Sequence, residues 1–418
     1  MRASLKISWN NELAIAMLFL CPSINYYIAC LLDMNGLQTI STYVYMILYV
    51  VGVVSYLFTL RKPVALGFTI GMLATIGFSY LLNSDISQYM MGGTFFSSPV
   101  TVLLCVYFPV FLLMINEVDF HKLLNYLSRA SVLILILAII VFCGNLFIYH
   151  STPSDYMSFA YMMLTPIILC FFKGWNNNRF HFLLAIIAAF ILFIVGCRGA
   201  VVTLALYFAL ILIRFYMQGE TRRKRQWVKL MLLLALIVIA VYADTILNWI
   251  GLGLQGIGFT SRTVAKLLSG NGAFIESEGR WSIWSQAIRG IGFFGQGLFG
   301  DRTVIIDEYG HATYAHNFLL EIIVDFGAII GILFAIYFLY AVLKAVRIAV
   351  ISKNHSLIKL TFAMISVLFA KHMISTSFLI SFDFWFYFGL AMNIVIYRSF
   401  LFDGSNDIES NRNEEALV

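Results

Sequence analysis

Charged residues are scarce in this chain of 418 residues. They make up 11% of it, whereas hydrophobic residues make up 61%. A soluble domain carries roughly 25% charged residues, so this shortage excludes an ordinary water-soluble fold. The alternating pattern of a membrane barrel is also missing. Apolar runs of about 20 residues, the length that crosses the hydrocarbon as a helix, follow one another along the chain. The composition therefore predicts an all-α integral membrane protein.

Several familiar sites are missing as well. The sequence has no Walker loop, no HExxH, no CxxC pair and no GxSxG elbow, which argues against an ATP-driven engine. The six cysteines are scattered through apolar segments without metal-ligand spacing, so they are interpreted as small buried hydrophobes and not as a disulfide framework. Asp301 and Asp307 are the outer carboxylates to consider for a metal, but nothing in their spacing favours one. We predict neither a metal site nor a cofactor.

The apolar runs predict about twelve transmembrane helices with short connections and one long loop. Their approximate ranges are 12–32, 37–60, 63–82, 99–116, 125–149, 156–172, 180–196, 199–217, 228–249, 327–349, 357–379 and 381–400. The chain then divides into four parts: helices 1 to 9 (1–249), a long loop containing an amphipathic helix (250–326), helices 10 to 12 (327–400) and a polar tail (401–418).

The distribution of lysine and arginine predicts the orientation. With the N-terminus inside, 20 of the 27 basic residues fall on the cytoplasmic side, as the positive-inside rule requires. Both termini are then cytoplasmic and the long loop faces out. The basic run TRRKR at 221–225 is interpreted as an anchor on anionic lipid, so we predict no nucleic-acid partner.

Arg198, in the segment GCRGA, breaks this rule at the outer end of a span. An arginine at bilayer depth costs about 2.5–3.5 kcal/mol on insertion scales, so it is usually retained for a partner. One interpretation is an interfacial arginine that reaches the headgroups. The other is an anion site facing the same outer cavity as the long loop.

The long loop is rich in glycine and arginine. Of the 29 glycines in the chain, 13 lie between Gly251 and Gly310. Arg280 and Arg289 lie nine positions apart, and arginine suits bidentate contact with phosphate or carboxylate. Two or three arginines could hold a pyrophosphate. Alternatively, they pair with acidic residues of the loop itself, namely Glu276, Glu278 and Asp301.

A polar stripe follows His316 in the segment HNFLLEIIVDFGAIIG. Asn317, Glu321 and Asp325 lie at helical spacing, with apolar residues on the opposite face. We expect a helix along the outer membrane surface that turns into the next span at Gly327. His316 would lie at its start, near the mouth of a cavity.

Arg198-Gly199, Arg280-Trp281, the run 290–300 and Ala315-His316-Asn317 with Glu321 and Gly327 form a pattern. In these features, and in its spans and outer loop, the chain resembles the bacterial O-antigen polymerase and O-antigen ligase superfamily. The resemblance covers the whole architecture, but the motifs that carry it are confined to about 196–200 and 279–331.

The resemblance implies a metal-independent glycosyltransferase with a GT-C-like fold in the bacterial cytoplasmic (inner) membrane. Its donor would be an oligosaccharide linked through pyrophosphate to undecaprenol, and its acceptor a sugar hydroxyl; a chain-length regulator is a candidate partner. Arg198 and Arg280 would bind the pyrophosphate and stabilise it as it leaves. His316 would be the general base or a further phosphate contact. Asn317 and Glu321 are predicted to contact substrate, and so is Arg289, which matches no position of the family's pattern and is included because arginine suits contact with phosphate.

Three functions remain open from the sequence. A polymerase of O-antigen or capsular repeat units comes first. A ligase that transfers polymer to lipid A–core would use the same residues, because it breaks the same donor bond. A flippase or transporter of lipid-linked oligosaccharide belongs to a different class and should carry its charges inside the spans. Apart from Lys371-His372, where a lipid-phosphate contact and pairing with a neighbouring helix are alternatives, the predicted spans hold few such residues.

Overall fold

The computed structural model describes most of the chain outside the region 219–277. The described residues are 10–33, 40–92, 98–148, 155–174, 178–195, 197–218, 252–253, 256, 278–307, 310–352, 354–373 and 375–397. Their regular structure is helical, with an isolated antiparallel bridge between Ile306 and Ala312. This agrees with the predicted all-α class.

Twelve helices are referred to by number below. They are α1 (Asn11–Asp33), α2 (Ile40–Thr59), α3 (Pro63–Leu82), α4 (Pro99–Met114), α5 (Phe120–Phe147), α6 (Tyr156–Gly174), α7 (Arg179–Val195), α8 (Arg198–Gln218), α9 (Glu278–Arg289), α10 (Phe318–Ile351), α11 (His355–Ile365) and α12 (Phe382–Ile396). Short helical segments also cover Ser84–Ile86, Ser87–Met90 and Asp301–Val304, and a π-helical turn, Ser366–Lys371, extends α11.

Helix starts follow from local chemistry. Proline occupies the first position of α3 and α4, where its missing N–H costs nothing. Asp119, Asn317 and Asn354 cap α5, α10 and α11, because their side-chain oxygens accept hydrogen bonds from the first free backbone N–H groups.

Five of the described helices are long and apolar enough to cross a membrane: α1, α3, α5, α6 and α10. Shorter apolar segments lie in α2, α4, α7, α8 and α12. Length and composition thus indicate a membrane protein. Every predicted span overlaps one of these helices or α11, except 228–249, which lies outside the described residues, as does the tail 401–418.

One predicted span is too long. The sequence predicts a helix throughout 357–379, but the helix ends at Lys371 and residues 375–381 are irregular. Ser375, Thr376, Ser377 and Ser381 fall in this stretch, and hydroxyl side chains compete for backbone hydrogen bonds. The described residues of the segment 372–381, which are 372–373 and 375–381, therefore form a loop, and Phe378 and Leu379 in it are buried.

The expected turn at Gly327 is confirmed. Helical hydrogen bonding runs from Phe318 to Ile351, but Gly327 has φ 83° and ψ 170°, so two helices meet there at a kink. A positive φ of this kind strongly favours glycine. The kink separates a first segment, 318–326, from the long apolar segment 328–351.

Aromatic side chains fill the space between α4 and α12. Trp385 contacts the rings of Phe108 and Phe111 edge to face, with centroids 5.7 and 5.9 Å apart. At the end of α4, the Asn393 amide donates to the carbonyl oxygens of Met114 and Asn116 at 2.8 and 2.6 Å. These bonds satisfy carbonyl groups that a helix end leaves without partners and fix α12 against α4.

Candidate functional site

The glycine-rich run 290–300 is fastened to the kink of α10. Backbone N–H groups of Gln296 and Gly297 donate to the carbonyl oxygens of Val324 and Asp325 at 2.9 Å, and Ala328 N–H donates to Gly292 at 3.0 Å. A Cβ on Gly327 would collide with backbone atoms of Phe293 and Phe294. The glycines therefore allow two backbones to lie side by side, and this contact fixes the loop above α10.

Three buried carboxylates surround one arginine directly below this contact. Arg302 donates from Nη1 to Asp301 Oδ1 at 3.0 Å and lies 4.0 Å from Glu321 Oε1. Asp325 Oδ1 accepts the backbone N–H of Asp301 at 3.1 Å, and the exposure of the three carboxylate residues is 0 to 2%. Buried charges are costly unless they are paired, so Arg302 stabilises this cluster.

The stripe on α10 is therefore enclosed by the protein and does not face water, while the expected position of this helix along the membrane surface stays a prediction. Glu321 accepts hydrogen bonds from Ser377 Oγ and, at 3.2 Å, from Phe378 N–H. Phe318 on the opposite side is buried too. The physical reason is that Arg302 and the 372–381 loop provide donors for the stripe, so it can be enclosed.

Arg302 is held between two aromatic rings as well as among the carboxylates. Its guanidinium carbon lies 4.9 Å from the Phe299 ring centroid and 5.5 Å from that of Tyr314. Burial lowers the pKa of Arg302, but Asp301, Glu321 and Asp325 outweigh it and the pKa is raised. Burial raises the pKa of Asp301, against the opposing effect of Arg302. Arg302 is thus a fixed cation.

His316 lies between this cluster and the 372–381 loop. Its backbone has φ 51°, which is uncommon outside glycine. Its Nδ1 lies 3.3 Å from the carbonyl oxygen of Ser375, and the Tyr314 hydroxyl donates to the same oxygen at 2.7 Å. A carbonyl oxygen only accepts, so Nδ1 carries the proton and Nε2 carries the ring's lone pair. The Tyr314 ring packs against the imidazole at 4.1 Å.

The electrostatic surroundings keep His316 neutral. Burial lowers its pKa below the ordinary value of 6.5, and the charges of Arg280 and Arg302 lower it further, against the effect of the Ser375 carbonyl. A neutral imidazole with a free lone pair is the form that accepts a proton.

Arg280 and Arg289 both belong to α9, but they do not lie together. Nine residues are two and a half helical turns, so the two side chains project from opposite sides. Arg280 is half-buried and acts electrostatically on His316 and Tyr161, whereas Arg289 is exposed. Of these two arginines, Arg280 is thus the one whose charge acts on His316.

Arg198 is the first residue of α8, and its side chain lies outside the described part of the structure. The neighbouring backbone is informative, because a Cβ on Gly199 would collide with the Tyr161 hydroxyl. The start of α8 therefore lies against Tyr161, the same tyrosine on which the charge of Arg280 acts.

Asn317 and Glu321 have contacts within the protein. Asn317 Oδ1 accepts from the N–H groups of Leu319 and Leu320 at 3.1 and 3.2 Å as the cap of α10. Both carboxylate oxygens of Glu321 accept hydrogen bonds, as described above. These contacts account for the two residues as positioning groups, and their predicted contact with substrate stays a prediction.

A cavity of about 190 Å³ lies beside His316, bounded by α1, α6, α12 and the 372–381 loop. Tyr314 and Ser375, the two neighbours of His316, line it. So does an ion pair: Lys371 Nζ donates to Asp383 Oδ2, and Thr165 Oγ1 donates to Asp383 Oδ1 at 2.7 Å. Of the two sequence alternatives for Lys371, pairing with a neighbouring helix is the one observed.

One cluster of three carboxylates has the close spacing of a metal-binding site. Within the described part of the chain, oxygens of Asp301, Glu321 and Asp325 lie within 4.8 Å of one another. Most of these oxygens already accept hydrogen bonds, and Arg302 provides a positive charge, while Asp325 Oδ2 has no partner in the structure. The arrangement is satisfied largely by arginine, and we assign no metal to it.

Comparison with known proteins finds no matching family model, no matching characterised protein and no matching solved structure.

Sequence reasoning misses four residues of this site. Arg302 and Asp325 are visible in the sequence as loop and stripe residues, but not as partners. Ser375 and Asp383 fall inside predicted apolar spans. The signal that could have found them is polarity: each is a hydrogen-bonding or charged side chain at membrane depth or beside an otherwise apolar run, where a partner is needed.

Proposed function

We propose that this protein is a membrane glycosyltransferase that polymerises lipid-linked oligosaccharide repeat units into O-antigen or capsular polysaccharide. The donor would be an undecaprenyl-pyrophosphate-linked oligosaccharide, and the acceptor a hydroxyl of the next unit. The single observation that carries this proposal is His316, a buried histidine with Nδ1 fixed on the Ser375 carbonyl and a pKa lowered by burial and by the charges of Arg280 and Arg302.

The proposed reaction is a displacement at the anomeric carbon. The acceptor hydroxyl oxygen attacks that carbon, a C–O bond forms, and the bond between the carbon and the pyrophosphate oxygen breaks. His316 Nε2 takes the hydroxyl proton, while the electron pair leaves with the pyrophosphate. Arg280 and Arg198 stabilise the charge that develops there. The general-base role for His316 is preferred over a phosphate contact, because the ring is neutral and Nε2 has a lone pair.

Localisation and partners form part of the same proposal. We place the protein in the bacterial cytoplasmic membrane as a multi-pass protein with both termini in the cytoplasm and the 278–326 region outside. The resemblance in the sequence and the excess of basic residues in the predicted inner loops support this placement. The lipid bilayer would be a partner in the physical sense, since it holds the donor's carrier.

The test is a deletion of the gene in its host, followed by electrophoresis of surface lipopolysaccharide or capsule. Loss of the ladder with a single repeat unit left on the core is the expected result. Bare core with long chains on undecaprenyl pyrophosphate would instead identify the ligase. An unchanged ladder and core would remove the proposal altogether.

A transport function has one observation in its favour. Lys371 and Asp383 form a buried ion pair that lines a cavity between helices, and intramembrane ion pairs often mark a transport path. In the deletion strain a flippase would leave bare core, with lipid-linked single units trapped on the cytoplasmic face. That result would also remove the catalytic roles of His316, Arg198 and Arg280.

A further inference from the structure

We propose that the cavity beside His316 binds one neutral sugar ring of the acceptor and is the pocket that selects it. This inference rests on the proposed function, which supplies the acceptor. It concerns residues that the sequence does not single out for binding, chiefly Thr165, Ser381 and Asp383. The cavity's place, size, chemistry and charge each support it.

The place of the cavity suits the acceptor. Tyr314 and Ser375 line its wall, and both also contact His316, at 4.1 Å between rings and 3.3 Å from Nδ1 to the carbonyl. A ring bound here therefore lies against two residues that contact His316. The donor's pyrophosphate would lie toward Arg280.

The size of the cavity suits a single ring. One water occupies about 10–15 Å³ on the same kind of volume measure, so about 190 Å³ holds roughly 13 to 19 water-sized volumes. Drug-sized ligands need about 300–1,000 Å³. The enclosed part thus has room for a monosaccharide and not for an oligosaccharide.

The wall combines hydroxyl groups with aromatic rings. Its hydroxyl-bearing residues include Ser23, Tyr161, Thr165, Thr376, Ser377 and Ser381. Hydroxyl groups both donate and accept hydrogen bonds, which matches the hydroxyls of a sugar. Phe19, Tyr107 and Phe382 provide apolar faces for the C–H face of a ring.

The charge of the wall argues against a phosphate. Lys371 is the cation among the lining residues, and Asp383 pairs with it. Arg302, farther out, is surrounded by three carboxylates. An anion would therefore gain little from Lys371, whereas a neutral polar ring meets a buried carboxylate and ammonium that can orient its hydroxyls.

The experiment is a binding measurement on the full-length protein in lipid nanodiscs by saturation-transfer NMR. The ligands are methyl glycosides of a hexose, an N-acetylhexosamine and a 6-deoxyhexose, with inorganic pyrophosphate as the anion. We expect at least one glycoside to bind with Kd on the order of millimolar, as is usual for a ligand of this size. Pyrophosphate should not displace it.

Two substitutions and one control locate the binding. Thr376→Trp, at a half-buried position of the wall, should abolish glycoside binding by filling the cavity. Thr165→Val removes the hydroxyl that donates to Asp383 with little change of volume, and should weaken binding by about tenfold. Ser282→Trp, on the exposed side of α9, should leave binding unchanged.

Three results would overturn the proposal: no glycoside of the panel binds, Thr376→Trp binds as well as the unsubstituted protein, or pyrophosphate displaces the glycoside. These results are separable from failure of the proposed function, because the binding measurement needs no turnover. Glycoside binding in the cavity together with an unchanged ladder in the deletion strain would keep a sugar pocket and remove only its role as the acceptor site.

Discussion

At the scale of single residues, the decisive feature is the hydrogen bond from His316 Nδ1 to the Ser375 carbonyl at 3.3 Å. It fixes the tautomer, and burial with two nearby arginines keeps the ring neutral. A general base must be neutral to work, so activity should fall as the pH drops through the pKa of His316. Because that pKa is lowered, we expect the acid limb of the kcat/KM profile to have its midpoint below 6.5.

Arg280 provides the check on this assignment. Arg280→Gln removes a positive charge beside His316, so the pKa of His316 should rise and the acid limb should move to higher pH. The rate should also fall, because the leaving group loses a partner. The midpoint pH of the acid limb, however, does not depend on the maximal rate. A profile that keeps its midpoint in Arg280→Gln would show that the limb does not belong to His316. His316→Ala should lower the rate by about 10²–10⁴-fold.

The second prediction contrasts two arginines of one helix. Arg280→Ala should lower kcat by about 10- to 150-fold, the equivalent of one charge-assisted hydrogen bond of about 1.5–3 kcal/mol. Arg289→Ala should change it little, because Arg289 is exposed on the opposite side of α9. Both are measured as transfer rates with the protein inserted at equal amounts. Equal losses of kcat in the two variants would show that Arg289 also belongs to the site, as the sequence predicts.

The third prediction concerns the buried ion pair. Lys371→Met leaves Asp383 buried with only Thr165 as a partner, and breaking a buried pair in this way typically costs about 3–5 kcal/mol. Lys371→Met with Asp383→Leu removes both charges and should be less damaging than either single change. Thermal unfolding in detergent measures this. A double variant no more stable than the single variants would show that the Lys371–Asp383 pair does not account for the loss of stability.

At the scale of elements, the glycine contact between the run 290–300 and the kink of α10 holds the site together. Gly327 has φ 83° and a Cβ there would meet the Phe293 carbonyl oxygen. We expect Gly327→Ala to cost at least the roughly 1–3 kcal/mol of a strained backbone and to detach the loop that carries Asp301. Gly67→Ala on α3, where a Cβ meets nothing within 4 Å, is the matched control.

Limited proteolysis and thermal unfolding of the two glycine variants would compare them. Faster cleavage between α9 and α10 in Gly327→Ala, with Gly67→Ala unchanged, is the expected outcome. Similar behaviour of the two would mean that the loop is held in place by contacts other than this backbone pairing.

The same contact shows what the sequence can and cannot predict. Helices such as α3 and α4 follow from apolar runs and proline starts, so the sequence predicts their bounds within a few residues. Gly327 is a predicted turn because it interrupts an apolar run. That Gly327 also lies against Gly295 depends on how two distant segments meet, and no local pattern encodes that.

The residues of the site also divide into those that the sequence can predict and those that it cannot. His316 and Arg280 can be found in the sequence because their residue types suit the chemistry and because their segments resemble a known pattern. Asp301, Arg302 and Asp325 become a unit only when the loop folds onto α10. The burial of Glu321 could not be predicted for the same reason: helical spacing identifies a polar stripe, but not whether water or an arginine faces it.

At the scale of the whole molecule, the question is which side of the membrane carries α9 and His316. The straight part of α10, residues 328–351, would be about 36 Å long at 1.5 Å per residue, enough for a hydrocarbon core of about 30 Å. If this segment crosses the bilayer, its two ends lie on opposite sides. Val324, just before the kink, belongs to the same buried apolar cluster as Ile283 of α9, and His355 begins the helix after the other end.

The final prediction follows from that crossing. Ser282→Cys on α9 should react with a membrane-impermeant maleimide in intact cells, and His355→Cys should react only after the membrane is opened. Both positions are exposed, whereas the native cysteines described in the structure are buried or half-buried, so the background should be low. The reverse labelling pattern would place His316 and Arg280 in the cytoplasm. A transferase that acts on the outer leaflet could not use them there, and the proposed function would fail with the orientation. Labelling of both positions in intact cells would instead mean that α10 does not cross the bilayer at all.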